Sequence, residues 1–190
     1  SAAECAGRLL CRESEVPRPR QKGDLLPAHK QKLQDAARRM KNWNITFKDD
    51  AESTLDSFRA FLVQERAKGD VGLAVIDYLQ LLSAPGYKSR VEEVTYISRE
   101  LKKISVQLEV PVLALSQLSR ELEKQNRKPM LSDLRDSGSI EQDCDSCFLL
   151  SSESKENPLK EKIRVDVAKN CNGENDLACM LYCTKDLELF

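Results

Sequence analysis

Charge imbalance is absent from the sequence, whose 190 residues include 30 basic and 31 acidic side chains and carry a net charge of −1. Bulk charge therefore does not favour a polyanionic partner, although a local basic patch could still bind one. Also absent is any apolar run approaching the roughly 18 residues of a membrane-spanning helix, and the amino terminus lacks the pattern of a signal peptide. With 41% hydrophobic and 32% charged residues, the composition predicts one soluble, intracellular globular domain.

A disulfide framework is not evident either. The seven cysteines are an odd number, and without an export signal this argues against a set of disulfides. Cys144 and Cys147 have the C-x-x-C spacing of a zinc or redox site, whereas Cys179 and Cys183 lie in an alternating, strand-like stretch and His29 is the single histidine. We interpret the cysteines as buried free thiols and keep metal binding as the weaker alternative.

Residues 1–70 are predicted to be a mainly helical, amino-terminal portion of one domain that spans the whole chain. Three stretches place apolar side chains on one helical face, and a fourth suits a short strand. The predicted helices cover residues 1–13, 28–40 and about 51–68, and the predicted strand covers residues 44–47, "NITF". Gly69 is a natural stop for the third helix.

Two apolar runs separated by a long helix indicate a parallel sheet. "VGLAVI" (71–76) is continuous, which is typical of a strand covered on both faces, and "VLALS" (112–116) is a second run of the same kind. Between them, apolar residues recur at steps of three and four from Val91 to Leu108, which is the pattern of an amphipathic helix. A strand–helix–strand unit predicts parallel strands in an α/β fold.

The carboxyl-terminal third is predicted to contribute further strands. "SCFLL" (146–150) has the composition of a third buried strand, and "SSESKENPLKE" (151–161) is polar enough for a loop. "KIRVDVAK" (162–169) and "LACMLYCT" (177–184) alternate on either side of a turn at Gly173, which predicts an antiparallel hairpin at the sheet edge. The expected architecture is a mostly parallel sheet with flanking helices and this edge hairpin.

Polar side chains follow both predicted parallel strands at the point where each strand ends. Asp77 comes directly after "LAVI", and Ser116 and Gln117 come after "VLAL". Ligands of parallel α/β sheets gather at the carboxyl ends of the strands. An aspartate after an apolar strand is the pattern of a Walker B element, which holds Mg²⁺ through water, and a glutamine on the neighbouring strand can bond a terminal phosphate. Alternatively, Asp77 caps the next segment and Gln117 satisfies a loop.

Four segments in order carry a resemblance to a known family: "VIDYLQLL", "VPVLALSQLSRELE", "SDLRDSGSIEQDCD" and "VAKNCNG". They resemble conserved segments of the DnaB-type replicative DNA helicases, most strongly from Val71 to Phe190. The resemblance implies a RecA-like motor domain that uses ATP and Mg²⁺ and moves 5′ to 3′ on single-stranded DNA. It also implies a ring hexamer, a replication loader or primase as a further partner, and a cytoplasmic location in a bacterial, phage or mobile-element context.

The resemblance also implies residue roles at the nucleotide. Asp77 is similar to the Walker B carboxylate and would hold Mg²⁺ through water, and Gln117 is similar to the glutamine that couples the γ-phosphate to the DNA-binding loops. These two are the expected catalytic pair. Lys169 matches the lysine that reaches across to the nucleotide of the neighbouring subunit.

A further set of residues is expected to contact DNA. Arg135, Asp136 and Gly138 match the family's loop that meets the DNA backbone, although the family usually has Glu where Asp136 stands. Phosphate contacts position a strand without reading its sequence, as a translocating motor requires. Lys88 and Arg90, in the loop after the Walker B strand, are additional candidates.

Two departures from the family pattern concern hydrolysis itself. Cys171 stands where the family carries an arginine finger, and loss of such a finger typically lowers the rate on the order of 10³-fold. In addition, no G-x-x-x-x-G-K-[ST] motif occurs in the sequence. We therefore expect a fragment that starts after the Walker A motif, without the amino-terminal part of the motor fold, and that is weak or inactive alone. The alternative is a non-catalytic ring subunit or a DNA- or protein-binding module.

Overall fold

Two compact units make up the chain, as described by a computed structural model. The first comprises Ser1–Asp50, Lys155–Glu161 and Tyr182–Phe190, and the second comprises Ala51–Ser154 and Lys162–Leu181. The structure describes residues 1–19, 25–49, 53–119, 122, 125, 127–134, 138–157, 160–174 and 177–184, and for residues 153–157, 160–161 and 182–184 it describes the backbone alone.

Two helices dominate the first unit. Helix α1, Ala2–Ser14, begins at Ser1, whose hydroxyl accepts a hydrogen bond from a backbone N–H of the first turn at 3.3 Å. Helix α2, Pro27–Met40, has proline at its first position, where no N–H is needed. Arg39 joins the helices, because its guanidinium donates to the carboxylate of Glu13 at 2.6 Å and to the carbonyl of the same residue at 3.0 Å. Both predicted helices are confirmed within one residue at each end.

The short strand predicted over residues 44–47 is wrong. These residues are exposed, including Ile45 and Phe47, and they have no strand conformation. No described strand pairs with them. A strand needs a neighbour to accept its ladder of hydrogen bonds, so the β propensity of "NITF" is not enough by itself.

Helix α3, Leu55–Lys68, begins about four residues later than the sequence predicts. The hydroxyl of Thr54 accepts a hydrogen bond from the backbone N–H of Ser57 at 3.1 Å and so caps the first turn. The helix ends at Gly69, the predicted stop, whose N–H donates to the carbonyl of Glu65 at 3.3 Å.

The predicted strand–helix–strand unit lies at the centre of the second unit. Strands β1, Ala74–Ile76, and β2, Val112–Ala114, are parallel, in a register that pairs Val75 with Leu113. Helix α4, Arg90–Leu108, makes the crossover between them. Ser89 caps this helix by accepting a hydrogen bond from a first-turn N–H at 3.2 Å. The parallel α/β arrangement is therefore confirmed.

The hydrophobic core covers one face of the parallel pair. Helix α4 supplies a buried stripe at steps of three and four, as its sequence predicts. The stripe packs with α3, with β1 and with the short 3-10 helix Leu79–Leu81 that follows β1. The buried members are Leu55, Leu62, Ile76, Leu79, Leu82, Ala84, Val94, Ile97, Leu101, Ile104 and Val110.

The opposite face of the parallel pair is open, so the expectation of strands covered on both faces is wrong for this chain. Val75 is 57% exposed and Leu113 is 44% exposed. Leu73 and Leu115 are exposed as well. Burial alternates along each strand because successive side chains point to opposite faces, and only one face meets α4.

The carboxyl-terminal third of the chain contains a separate antiparallel sheet of three strands. It follows helix α5, Gly138–Asp143, and consists of β3, Ser146–Asn157, β4, Lys160–Asn170, and β5, Ala178–Thr184, in the order β3-β4-β5. The predicted hairpin of β4 and β5 is confirmed, but its predicted place at the edge of the parallel sheet is wrong, because it pairs with β3 in this separate sheet. Among the described residues, no helix has both the length and the apolar composition to cross a bilayer.

Two expectations about this sheet need correction. Residues 151–161, predicted as a polar loop, belong largely to β3 and β4, because backbone groups form the ladder and polar side chains can occupy a solvated face. The predicted third strand exists, but of its apolar side chains only Leu149 is buried, whereas Phe148 and Leu150 are exposed.

The six cysteines whose side chains the structure describes are free but not buried. Among those that the structure describes, Cys5, Cys11, Cys144 and Cys147 are half-buried, and Cys171 and Cys179 are exposed. The prediction of free thiols is thus confirmed for these residues, and the prediction of burial is wrong. Within the described ranges no cluster of three or more His, Cys, Asp or Glu residues could hold a metal ion.

Candidate functional site

Asp77 and Gln117 lie at the same edge of the parallel pair. The ladder continues past the two strands, since the N–H of Leu115 donates to the carbonyl of Ile76 at 2.9 Å and the N–H of Leu79 donates to the carbonyl of Leu115 at 2.7 Å. Asp77 stands between the two bonded positions on one strand segment, and Gln117 follows the bonded position on the other. The Asp77–Tyr78 peptide bond is cis. The two strand ends that the sequence singles out are therefore adjacent.

The two side chains also share a face. Exposure alternates through both segments, and Asp77 and Gln117 are exposed together with Val75, Leu113 and Leu115, which line the open face. Ile76, which separates Val75 from Asp77 along the chain, points into the core. A carboxylate and an amide are thus presented to solvent at the carboxyl end of parallel strands, where such sheets bind ligands.

Gln80 connects the two strand ends through its side-chain amide. Its Nε2 donates to Oγ of Ser116 at 2.9 Å, and its Oε1 accepts from the backbone N–H of Gln117 at 3.3 Å. The segment after Asp77 is therefore tied to the segment that carries Gln117. Gln80 was missed in the sequence analysis. The only sign of its role in the sequence is that it is the one amide side chain in the mainly apolar stretch "DYLQLL".

Arg90 anchors the loop that follows the Asp77 segment. Its guanidinium donates to the carbonyl of Gln80 at 2.7 Å, to the carbonyl of Leu82 at 3.2 Å and to the carboxylate of Glu93 at 2.6 Å. These bonds give Arg90 a structural role within the chain, and its contact with DNA stays a prediction. Lys88, the other basic residue predicted in this loop, is exposed.

Glu93 completes this anchor from helix α4. Its carboxylate accepts the backbone N–H of Ala84 at 2.7 Å as well as the guanidinium of Arg90. The bond from Ala84 is the main reason that the pKa of Glu93 is lowered, with the bond and charge of Arg90 acting in the same direction against burial. The charged form of Glu93 therefore holds both ends of the loop in place.

The segment after Gln117 returns to the end of β2. Leu118 and Leu134 form an antiparallel bridge, and the N–H of Ser119 donates to the carbonyl of Asp133 at 2.8 Å. The predicted DNA-contacting residues Arg135 and Asp136 lie outside the described residues. Their position in the chain, directly after Leu134, puts them next to this bridge in sequence.

An ion pair that the sequence did not predict stabilises this return. The guanidinium of Arg127 bonds both carboxylate oxygens of Asp133, at 2.6 and 2.7 Å, and the N–H of Met130 donates to the same carboxylate at 2.7 Å. These bonds, that of Arg127 first, lower the pKa of Asp133. Asp133 is buried, and a buried carboxylate needs such partners.

Lys169 is bound to its own chain near the end of α5. Its Nζ donates to the carbonyls of Glu141 at 2.7 Å and of Gln142 at 3.2 Å. Gly138, predicted to contact DNA, is the exposed first residue of α5, and a Cβ added there would meet no atom within 4 Å. Cys171 is exposed in the turn after β4.

Family comparison agrees with this geometry. Residues 1–189 match the family described as the DnaB-like helicase C terminal domain. The chain belongs to this family. The resemblance drawn from the four sequence segments is therefore confirmed, together with the RecA-like α/β fold that it implied. The alternative of a non-catalytic binding module is not favoured.

Individual DnaB-like relatives are similar over most of this chain. It is 38% identical to the replicative DNA helicase DnaB of Geobacillus stearothermophilus over 180 residues, which cover 91% of this chain and 40% of that protein. It is also 38% identical to the replicative DNA helicase DnaC of Bacillus subtilis, over 90% of this chain and 39% of that protein. The chain thus spans about two fifths of the length of these relatives.

Solved structures of DnaB-like proteins share the fold. A DnaB-like replicative helicase studied for its interactions with primase superposes with a TM-score of 0.86 at 33% identity, covering 97% of this chain and 46% of that one. A second solved structure, described as an ATPase domain, superposes with a TM-score of 0.86 at 34% identity, covering 95% of this chain and 67% of that one.

The exposed edge fits part of a magnesium–nucleotide site. Mg²⁺ keeps several waters and is usually held by one or two carboxylates together with substrate phosphates, so the single exposed carboxylate of Asp77 is compatible with it. The lack of a G-x-x-x-x-G-K-[ST] motif means that this sequence does not itself contain that phosphate-binding loop. The residues present would therefore serve the metal and the terminal phosphate.

Proposed function

We propose that this chain is part of the motor of a replicative DNA helicase, which couples ATP hydrolysis to 5′–3′ movement on single-stranded DNA and to duplex unwinding. The observation that carries the proposal is the joint exposure of Asp77 and Gln117 on one face and one edge of parallel strands, bridged by Gln80. Membership of the DnaB-like family supplies the reaction class.

In this proposal the residues at the edge have separate tasks. Bound Mg²⁺–ATP supplies the phosphate whose cleavage drives movement. Asp77 would hold the metal ion through water, and Gln117 would donate its side-chain amide to the terminal phosphate. Gln80 keeps the backbone of Gln117 in place, so that the presence of the phosphate is passed to the segment that begins at Leu118. The bridge from Leu118 to Leu134 continues this path towards Arg135 and Asp136.

DNA contacts are assigned to basic and backbone groups beyond this path. Arg135, Asp136 and Gly138 would meet the phosphates of single-stranded DNA, and the exposed Lys88 would add a further positive charge. Arg90 has a weaker claim, because its guanidinium already bonds two carbonyls and a carboxylate.

Lys169 would serve the nucleotide of a neighbouring subunit in a ring hexamer. To do so its Nζ must leave the carbonyls of Glu141 and Gln142. Such an exchange would make the lysine's position depend on whether a neighbour presents a phosphate. A loader or a primase would be the further protein partner of the ring, which would work in the cytoplasm.

A chimera provides the sharpest test of the catalytic pair. This chain would replace the matching 180-residue stretch of the Geobacillus helicase, whose remaining length supplies the upstream phosphate-binding loop that the resemblance implies. In the chimera, Asp77→Asn should lower DNA-stimulated ATP turnover on the order of 10²-fold or more, because the metal loses a charged partner. Gln117→Ala should uncouple turnover from DNA while ATP still binds.

Matched controls make this test decisive. Asp70→Asn removes a carboxylate that is almost fully exposed and should leave turnover unchanged. Hexamer formation, measured by light scattering, should be retained by every variant. If Asp77→Asn turns over ATP as fast as the chimera with Asp77, the proposal fails.

The isolated chain and the residue at position 171 add a second test. Alone, the 190-residue chain should show weak or no ATP turnover. In the chimera, Cys171→Arg should raise turnover, on the order of 10³-fold if the guanidinium reaches the transition state of the neighbouring subunit. Cys171→Ser is the matched control and should leave the rate unchanged.

A further inference from the structure

Two cysteine thiols lie together where α5 gives way to β3. Cys144 directly follows α5, and Cys147 is the second residue of β3. Both are free and half-buried, and each thiol is the first influence on the pKa of the other. Neither residue is fully buried. The sequence offered this pair only as a C-x-x-C spacing, without the orientation of either side chain.

Lys169 places a positive charge beside this pair. The thiol of Cys144 donates to the carbonyl oxygen of Glu141 at 3.5 Å, and the Nζ of Lys169 donates to that same oxygen at 2.7 Å. The thiol and the ammonium group are thus gathered around one carbonyl. Asp145, which opposes a thiolate here, is itself paired with the ammonium of Lys102 at 2.5 Å.

These surroundings divide the two thiols into unlike partners. The hydrogen bond from Cys147 lowers the pKa of Cys144 to about 7, and the charge of Lys169 adds to this against burial and Asp145. The pKa of Cys147 is raised, first by the bond to Cys144 and then by burial, with Glu141 acting in the same direction and Lys169 opposing it. Cys144 therefore ionises more readily than Cys147, which makes Cys144 the attacking member of the pair.

We propose that Cys144 and Cys147 form a thiol–disulfide exchange site that reacts with small disulfides such as oxidised glutathione. The Cys144 thiolate attacks one sulfur of the reagent, the reagent's S–S bond breaks, and one glutathione leaves as a thiolate that takes up a proton. Cys147 then loses its proton to solvent and attacks the Cys144 sulfur of the mixed disulfide. The Cys144–Cys147 bond forms, and the second glutathione leaves and is protonated.

This site shares Lys169 with the nucleotide chemistry proposed above, but its thiol chemistry does not rest on that proposal. Two protein thiols are oxidised and one glutathione disulfide is reduced, so that the electrons balance without a further reagent. Oxidation removes the negative charge of Cys144 from the surroundings of Lys169. An attacking thiol works best when its pKa is near the ambient pH, which is the condition that Cys144 meets.

The test is oxidation of the full 190-residue chain by oxidised glutathione at neutral pH, followed by acid quenching, alkylation and peptide mass spectrometry. The expected product is a Cys144–Cys147 disulfide. In Cys147→Ser, glutathione should remain on Cys144 as a mixed disulfide. Cys144 should react about tenfold faster than the exposed Cys171 or Cys179, because more of it is thiolate at pH 7.

Variants at Lys169 separate a reactive thiol from a merely accessible one. The pH at which Cys144 is half-deprotonated, measured by thiolate absorbance and alkylation rate, should rise in Lys169→Met and be retained in Lys169→Arg. Cys171→Ser and Cys179→Ser should leave the Cys144–Cys147 product intact. Folding of each variant is checked by circular dichroism.

Three results would overturn the proposal. One is that Cys171 or Cys179 takes up glutathione as fast as Cys144 does. Another is that the wild-type chain forms no Cys144–Cys147 disulfide. This result needs no variant, so it counts even if every variant fails to fold. The third is that Lys169→Met reacts with the same pH profile as the wild-type chain.

Discussion

The two faces of the parallel pair β1–β2 differ in environment although both are aliphatic. On the covered face, Ile76 meets a core in which Ile97 of α4 is 0% exposed. On the open face, Val75 and Leu113 pair across the strands and remain half exposed. The comparison teaches that composition qualifies a strand for burial, whereas the neighbouring helix decides which face is buried.

The free energy of folding should therefore depend unequally on the two faces. Apolar area that is removed from water contributes roughly 25 cal/mol per Å², and the hydrophobic core cluster of the second unit lies on the side of α4 and α3. Side chains of the open face contribute only what their cross-strand pairing provides.

The largest expected effect comes from the covered face. Ile97→Ala should lower the free energy of unfolding by about 2–5 kcal/mol, because it leaves a cavity in a closely packed site. Val106→Ala, on the same helix but 65% exposed, should change it by less than about 0.5 kcal/mol. Urea denaturation followed by circular dichroism measures both. Similar losses in the two variants would show that α4 does not cover the sheet in solution.

An intermediate, pH-dependent effect should come from the loop anchor on the covered side. Glu93→Gln should lower the free energy of unfolding by about 1–3 kcal/mol at neutral pH, because it weakens the bonds to Ala84 and Arg90. The pKa of Glu93 is lowered in the folded chain, so its stabilisation is present above the ordinary glutamate pKa and is lost as the pH falls through the lowered value.

The measurement is urea denaturation of the wild-type and Glu93→Gln chains across acidic and neutral pH. The difference between them should shrink on acidification. Glu109→Gln, an exposed carboxylate at the other end of the same helix, should differ little from wild type at every pH. A difference for Glu93→Gln that stays constant with pH would contradict the assignment of the shifted pKa to this residue.

The smallest effect on stability should come from the open face. Val75→Thr and Leu113→Thr should each change the free energy of unfolding by less than about 0.5 kcal/mol, because half-exposed positions lose little packing. Both should reduce binding of an apolar fluorescent dye, since contiguous exposed aliphatic side chains attract such probes. A loss as large as that of Ile97→Ala would mean that the open face is covered in solution, for example by self-association.

Much of the second unit could be predicted from periodicity. The buried stripe of α4 could be predicted because its apolar residues repeat at helical spacing. The four that repeat, all of them buried, are Val94, Ile97, Leu101 and Ile104. Which strand would pair with β3 could not be predicted, because strand partners are chosen by contacts distant in sequence. The extension of β3 and β4 through residues 151–161 could not be predicted for a related reason. Strand pairing uses backbone groups, so a polar sequence gives no sign of it.

The candidate site divides in the same way. Asp77 and Gln117 were predictable because each interrupts an apolar strand at its end. Gln80 and the pair of Arg127 and Asp133 act through a few side-chain hydrogen bonds in short segments, which have no repeat to reveal them. The partners of Lys169 are backbone carbonyls, which every residue possesses and no sequence pattern marks.

The ladder that runs beyond the two parallel strands has a consequence for variation at the edge. Since N–H and carbonyl groups of Ile76, Leu79 and Leu115 hold the strand ends together, exchanging the side chains at positions 77 and 117 should leave the frame around them unchanged. Chemistry at this edge is thus separable from architecture. Homologous chains could acquire or lose a reactive group here by single substitutions while keeping the same scaffold.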